Sequence, residues 1–384
     1  MISRRNLLAG LGVVAAWLGA AIAAGQRVLR ASIALEESRV LVAVGMVGKG
    51  PYIFMIDTGA DFGLIHNTLA ATLKLPIGGH TRVRGAGGAD IYPIYEARDF
   101  VIGGTMRQAR VGLVGAGELR FGTDIEGTLA AGILTAGDTD LDFDAGEIRL
   151  YPDGRGERTG FTRLRSSIRR LEHATEASPY IFADIAVGGQ PFECMLDTGA
   201  PSLLSLGPNA SRRSGLWDDS RPFAPFRPNG IGGAGSLSRV VRAPSVALGG
   251  LAIEHPLIAL EPPGTVSPAI GEGIAGLALI RRFNLSIDAR SRSLWVQPSR
   301  QPATGRGYGL SGLWLDHDGD GARVAAVGTD SPAAEAGILT GDRIDGAWRD
   351  ALAAINRGPG TPVSLTVARK GAKRAISFTL RPYL

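Results

Sequence analysis

The apolar residues of this chain come in short runs rather than long stripes. "YIFMI" (52–56), "CMLD" (194–197), "FVIGG" (100–104) and "VALGG" (246–250) are typical: a few continuous or alternating apolar positions, often closed by glycine. Such a pattern predicts short strands joined by tight turns, because side chains alternate across a strand and glycine supplies the turn conformations other residues avoid. The chain holds 55 glycines, many of them in pairs between β-branched runs, which favours an all-β architecture over helical bundles.

The runs repeat. "GKGPYIFMIDTGAD" (48–61) and "GGQPFECMLDTGAP" (188–201) stay in register. Gly48 and Gly188 each stand nine residues before an aspartate, Asp57 and Asp197, and Pro51 and Pro191 six before. Downstream, "RGAGGA" (84–89) matches "NGIGGA" (229–234), and "FVIGG" matches "VALGG". Finally "GILTAGDTDLDFDAGEIRL" (132–150) matches "GLALIRRFNLSIDARSRSL" (276–294), with Gly132 to Asp144 and Gly276 to Asp288 both twelve residues. Two β units therefore lie 140 residues apart, the difference between Asp57 and Asp197. Packed about a pseudo-twofold axis, equivalent loops face each other, so the two aspartates become neighbours.

Two carboxylates about 3 Å apart cannot both ionise, and they share one proton. One then serves as base and the other as acid, so a water between them can attack an amide without metal or cofactor. The flanking residues suit that task. Gly59 and Gly199 let two backbones approach, and Thr58 and Thr198 carry hydroxyls able to bond the opposite loop.

The doubled Asp-Thr-Gly-Ala motif behind apolar residues, with "AAGIL" (130–134), "IAGL" (274–277) and a closing strand, resembles the retropepsin and pepsin-like aspartic proteases over residues 38–152 and 178–297. The resemblance implies a mainly β fold of two pseudo-symmetric acid-protease lobes in one chain. It implies a catalytic dyad of Asp57 and Asp197, a grip between the loops through Thr58, Gly59, Thr198 and Gly199, and an extended protein or peptide substrate. The glycine turns at Gly85, Gly87 and Gly88 and at Gly230, Gly232 and Gly233 resemble tips of substrate-covering flap hairpins. One departure is that Ala131 and Ala275 precede Gly132 and Gly276 where bulkier residues are common; this predicts looser packing behind the dyad.

Composition narrows the alternatives. The chain is 384 residues long, 45% apolar and 20% charged, enough for two or three cores. Its net charge of +5 is spread out, and its densest basic stretch, "RLRSSIRRLEH" (163–173), lacks interleaved aromatics; it reads as a solvated face, not a nucleic-acid surface. The single cysteine, Cys194, excludes an intrachain disulfide or a cysteine metal cluster and reads as a buried strand residue. The five histidines show no ligand spacing, and "DHDGDG" (316–321) has Val327 where a calcium loop needs glutamate, so it reads as a polar turn. "GIGGAG" (230–235) precedes a strand pattern and not a helix, which removes the dinucleotide reading. Asp144 and Asp288 recur in register as structural positions.

The first 26 residues, with Arg4 and Arg5 before an uncharged stretch closed by small residues, have the order of an export signal. They resemble a twin-arginine signal with Leu7 in place of phenylalanine, and the apolar stretch is near the length of a membrane anchor. Export to a bacterial periplasm or cell envelope is expected, with the protein either soluble or anchored.

After a Pro/Gly linker, "QPATGRG" (301–307), the stretches "SPAAEAGILTGDRI" (331–344) and "GPGTPVSLTVARKG" (358–371) resemble a PDZ domain of the bacterial periplasmic-protease kind. That resemblance implies a small α+β module binding an extended segment or a C-terminal tail by strand addition, with Gly309, Leu310, Ser311 and Gly312 nearest to a carboxylate-capturing loop. The segment "DGAWRDALAAINRG" after Ile344 departs from the pattern and looks shortened. The expected organisation is 1–26 leader, 31–155 first lobe, 163–299 second lobe and 305–384 PDZ module. The expected activity is that of an aspartic endopeptidase whose PDZ module recruits substrate; the alternative is a non-catalytic envelope adaptor that binds peptides with the same parts.

Overall fold

The structure, a computed structural model, describes residues 27–36, 38–85, 88–117, 124–170, 177–230, 233–266, 271–304 and 307–384. The leader and the glycines Gly87 and Gly232 lie outside the described residues. The chain is mainly β. Among the described residues, no helix is long and apolar enough to cross a membrane.

The two repeats fold to one weave. In the first, the strands Arg39–Met46 and Lys49–Ile56 form an antiparallel hairpin, and Lys49–Ile56 runs parallel to the short strand Gly127–Leu129. The strand Leu64–His66 pairs with Gly127–Leu129 on one side and runs parallel to Met106–Ala116 on the other. In the second, Tyr180–Val187 and Gln190–Asp197 form the hairpin, and Gln190–Asp197 runs parallel to Gly273–Gly276. Leu204–Leu206 pairs with Gly273–Gly276 and runs parallel to Leu257–Leu260. Each aspartate thus ends a strand held between neighbours on both sides. Both strands are nearly all buried toward that end: Phe54, Met55 and Ile56 in one, Cys194, Met195 and Leu196 in the other. Buried strands hold a terminal side chain more rigidly than a loop does.

The units do not close separately. The strand Asp138–Asp142 of the first pairs with Phe283–Asp288 of the second, which in turn pairs with Ser293–Pro298. One apolar cluster consequently runs from Ala31 to Val296 through both units. The recurrent positions near Asp144 and Asp288 serve this junction. Asn284 accepts from the Phe143 amide (2.9 Å) and donates to Asp144 (3.1 Å), while Arg158 lies between Asp138 and Asp288.

Residues 313–380 have their own core, formed by Leu313, Val324, Ile338, Ile355, Val363, Ile376 and their neighbours. A five-stranded antiparallel sheet runs from Leu313–Asp318 to Ala372–Thr379 and carries two short helices, Pro332–Glu335 and Trp348–Ile355. The stretch that looked shortened, after Ile344, forms the second helix, with Ala351 and Ile355 buried against the sheet. "DHDGDG" is the hairpin turn joining the first two strands of this sheet.

Candidate active site

Asp57 and Asp197 meet at the junction of the two units, and their carboxyl groups are hydrogen-bonded to each other. A reciprocal grip fixes the two loops. The Thr58 hydroxyl donates to the Leu196 carbonyl (2.8 Å) and accepts from the Thr198 amide (3.0 Å). The Thr198 hydroxyl donates to the Ile56 carbonyl (2.7 Å) and accepts from the Thr58 amide (3.1 Å). Both threonines are buried, so all four bonds are shielded from water.

The glycines are there for room. A Cβ on Gly59 would stand 2.3 Å from the Asp197 carboxyl carbon, and one on Gly199 would stand 2.6 Å from an Asp57 carboxyl oxygen. Each loop backbone therefore lies flat against the other loop's carboxylate. Neither glycine has a positive φ, so close approach is the reason for glycine at both.

The two carboxyls are not equivalent. Asp197 accepts from the amides of Gly199 (2.7 Å) and Ala200 (3.1 Å), whereas Asp57 accepts from Gly59 (3.1 Å). Desolvation pushes the Asp57 carboxyl well above the usual carboxylate range, and the charge and hydrogen bond of Asp197 push it further. Asp197 is also raised by desolvation, but its amide donors and the hydrogen bond to Asp57 work in the opposite direction. Asp57 is thus the partner that keeps the shared proton, and Asp197 the one that ionises. Asp57 and Asp197 are each half-buried as residues.

The packing behind the dyad corrects the expectation drawn from Ala131 and Ala275. Both alanines are fully buried. A Cβ on Gly132 would lie 2.6 Å from the Ser178 hydroxyl, and one on Gly276 would lie 2.1 Å from the Ser202 carbonyl oxygen. Small residues there let the Ser178 side chain in one unit and the Ser202 backbone in the other come close, leaving no slack.

Beside the dyad lies a pair the repeat did not reveal. Tyr180 is buried, and its hydroxyl donates to the Asp61 carboxylate. Burial raises Asp61, with its own amide, Tyr180 and Phe62 acting against the rise; burial and then the Asp61 charge raise Tyr180. The Ser178 amide also donates to the Asp61 carbonyl (3.0 Å). In the second unit the matching position is Pro201, which offers no such acceptor.

The glycine turns differ between the units. The hairpin Ile77–Gly85 and Gly88–Ile102 is long and ends in the pair Gly85–Gly88. Its counterpart is a short pair, Asn229–Gly230 with Gly233–Ala234, closed by Gly230–Gly233. In the C-terminal module, Gly309, Leu310, Ser311 and Gly312 form the turn before the first strand. The Gly312 amide donates to the Gly309 carbonyl (3.1 Å), so one of the amides expected to face a carboxylate is engaged within the turn; the Leu313 amide, the first of the following strand, donates to the Ser311 hydroxyl (3.1 Å). Gly312 has φ +76°, and a Cβ there would collide with Ser331, so only glycine fits. Cys194 is fully buried and raised by desolvation, an inert strand residue. Among the described residues, no group of three or more His, Cys, Asp or Glu side chains is placed to hold a metal ion.

Residues 42–134 match the family model described as aspartyl protease. The match runs from the first unit's opening hairpin through the Asp57 loop to Ala131 and Gly132. No curated protein matches the chain. The match does not reach the second unit, which shares with the first the weave, the motif and the reciprocal threonine grip.

Proposed function

We propose that the protein is an aspartic endopeptidase that hydrolyses peptide bonds with a water activated by Asp57 and Asp197. The observation that carries this is the hydrogen-bonded carboxyl pair held rigid by four threonine bonds. Ionised Asp197 takes a proton from the water as its oxygen attacks the carbonyl carbon, and protonated Asp57 gives its proton to the carbonyl oxygen. The tetrahedral intermediate then collapses. Asp197 passes its proton to the departing nitrogen, Asp57 recovers one from a hydroxyl of the intermediate, and the C–N bond breaks to an acid and an amine. Both carboxyls return to their starting states, so the cycle is balanced. The hairpins ending at Gly85–Gly88 and Gly230–Gly233 close over an extended peptide, and the C-terminal module recruits protein substrate. The N-terminal segment directs export to the cell envelope.

The deciding experiment incubates the protein with a reduced, unfolded protein across pH 4–8 and reads new termini by mass spectrometry. Cleavage that is lost in both Asp57→Asn and Asp197→Asn is the expected result. Binding without any new terminus would replace this reading with that of an adaptor.

A further inference from the structure

The second unit's hairpin has little support within its own sheet. It rises from the strands Ala224–Phe226 and Ser238–Arg242, which pair from Ala224 with Val240 to Phe226 with Ser238, and it continues into the short pair closed by Gly230–Gly233. Ser238–Arg242 is anchored on its other side by Leu257–Leu260. Ala224–Phe226 is an edge strand among the described residues and carries Pro225, which has no amide to give to a ladder. A ribbon so short is marginal in water without packing against something else. The first unit's hairpin differs. Its strands pair from Ile77 with Tyr95 to Gly85 with Gly88, and Gly88–Ile102 goes on to pair with Met106–Ala116 and Arg39–Met46.

The C-terminal module supplies the missing support. Its strands Leu313–Asp318 and Gly321–Val327 lie against Ala224–Phe226. Its polar contacts fall on the ends of the two hairpin strands. Arg227, directly after the first strand, pairs with Asp316 (2.9 Å). Phe223, directly before it, accepts at its carbonyl from the Tyr383 hydroxyl (3.1 Å). A Cβ on Gly328 would stand 2.0 Å from the same carbonyl oxygen, so module backbone lies directly on this point. Arg242, the last residue of the second strand, donates to the backbone oxygen of Leu384 (2.9 Å). Tyr383 and Leu384 are in turn held by the Tyr308 hydroxyl, which accepts from both of their amides.

A further layer joins the hairpin to these contacts. The Arg239 guanidinium, on the second hairpin strand, lies between the rings of Trp217 (4.2 Å) and Phe223 (4.0 Å) and pairs with Asp219 (2.5 Å). The Asp219 carbonyl accepts from the Thr329 hydroxyl of the module (3.1 Å). Residues 217–223 are thus clasped by the hairpin on one side and by the module on the other. The Asp219 side chain is 88% exposed, so its ion pair adds little, and the stacked guanidinium and the backbone contacts carry the joint.

We propose that the C-terminal module is a built-in splint for the second unit's hairpin, with Asp316 and Tyr383 as positioning residues that act through Arg227, Phe223 and residues 217–223. A hairpin already ordered loses less freedom when an extended substrate settles under it, so the splint tightens substrate binding and leaves proton transfer at the dyad alone. This role requires no ligand in the module. The consequence for KM rests on the hydrolytic reading above; the ordering of the hairpin does not.

The test uses the full-length protein and three variants. Asp316→Arg sets two arginines against each other. Arg227→Asp combined with Asp316→Arg restores the pair with its polarity reversed. Tyr383→Phe removes one hydroxyl and keeps the ring against Tyr308. Hydrogen exchange is read in segments 224–228 and 238–242, in 91–102 of the first unit, and in the module's own strand Pro362–Arg369. Asp316→Arg is expected to speed exchange in 224–228 and 238–242 about tenfold and Tyr383→Phe about threefold, with the other two segments unchanged. The reversed pair should return exchange to within about twofold of the parent. With a peptide that the protein cleaves, Asp316→Arg raises KM about fivefold and keeps kcat within a factor of about two. If Asp316→Arg unfolds the module, seen as faster exchange in Pro362–Arg369, Tyr383→Phe decides in its place. Unchanged exchange in 224–228 and 238–242 of a folded variant, equal acceleration in 91–102, or no recovery in the reversed pair would each overturn the splint. A fall in kcat at constant KM would overturn its effect on substrate binding. Absence of all hydrolysis with exchange as expected would leave the splint standing and count against the endopeptidase reading instead.

Discussion

The two β units share a weave and a motif, yet they are unequal wherever something other than the dyad is involved. The first carries the long hairpin ending at Gly85–Gly88, and its Asp57 loop continues into Asp61, bonded to Tyr180. The second carries the short hairpin at Gly230–Gly233, has Pro201 at the matching position, and is braced by the C-terminal module. Within the dyad the symmetry is near complete in its threonines and glycines but not in its protons: Asp197 collects more amide donors than Asp57. The comparison shows what two-fold repetition is for. It is kept where a pair must be placed and relaxed away from that pair.

The largest effects break the dyad itself. Asp57→Asn and Asp197→Asn are each expected to lower kcat about a thousandfold or more, since each removes one half of the acid–base pair. Their stabilities separate the units. A carboxyl raised by burial binds its proton more tightly folded than unfolded, so its contribution is fully present below the unfolded value and is lost as pH rises through the folded one. Asparagine carries no such cost, so Asp57→Asn raises Tm at neutral pH, and the gain shrinks as pH falls into the ordinary carboxylate range. Asp197→Asn gains less, because the amides of Gly199 and Ala200 already stabilise the ionised Asp197 carboxyl and leave it less raised than Asp57. Thermal melts of the three proteins from pH 3 to pH 8 decide this; equal gains would mean the two acids are equivalent. For the same reason kcat follows a bell in pH, falling at low pH as Asp197 protonates and at high pH as Asp57 loses its proton. Burial shifts the whole bell above that of two ordinary carboxyls.

Next in size are the glycines. Gly59→Ala would push a methyl onto the Asp197 carboxyl at 2.3 Å, and Gly199→Ala would push one onto Asp57 at 2.6 Å. Either displaces a carboxyl by a fraction of an ångström or more, and a loss of kcat of about a hundredfold is expected from such misplacement. The Gly59 variant is the more severe, because its three nearest carboxyl atoms stand at 2.3, 2.5 and 2.6 Å, against 2.6, 2.7 and 3.0 Å for Gly199. Steady-state kinetics of the two variants, beside their melting temperatures, separates misplacement from unfolding. A third tier is the grip. Thr58→Ser keeps both hydroxyl bonds and should melt close to the parent. Thr58→Ala leaves the Leu196 carbonyl and Thr198 amide without their partner and should cost about 2 kcal/mol in chemical denaturation.

Much of this site was legible because the sequence states it twice. The aspartates, threonines and glycines are local to a tetrapeptide, and register at fixed spacing named both copies. The strand-and-turn pattern gave the mainly β fold by the same periodicity. What could not be read was anything made by pairing distant strands. The shared core arises because Asp138–Asp142 pairs with Phe283–Asp288 across the units, whereas each segment alone reads as a closing strand of its own unit. The close packing beside Ala131 and Ala275 could not be read from side-chain size, since the Ser178 side chain closes the space in one unit and the Ser202 backbone in the other. Tyr180 was hidden for a further reason. The hairpin of the first unit has an irregularity between Val44 and Met46, so counting back from the aspartates sets Tyr180 against Val40. Strand register instead pairs Leu41 with Met55 and Phe182 with Met195, which sets Tyr180 against Arg39. A tyrosine in one copy against an arginine in the other is a difference a repeat search discards.

That hidden pair gives the smallest and most local test of the inequality. Asp61 is raised by burial and held back in part by the Tyr180 hydroxyl. Tyr180→Phe removes the donor while keeping the ring in its contact with Phe182. The Asp61 carboxyl should then titrate higher than in the parent, and the folded state should lose about 1 kcal/mol at neutral pH, where the carboxylate is left with one donor fewer. The loss fades as pH falls and Asp61 takes up its proton, because the neutral carboxyl needs the donor less. Carbon-detected NMR of the aspartate side chains reads the titration directly, and denaturation at two pH values reads the stability. If Asp61 is the first unit's contact for a directed substrate, the same change raises KM for a peptide cleaved at the dyad and leaves kcat within a factor of about two. An unchanged Asp61 titration with an altered kcat would place Tyr180 in the dyad's own hydrogen bonding and make the asymmetry a matter of chemistry instead of substrate binding.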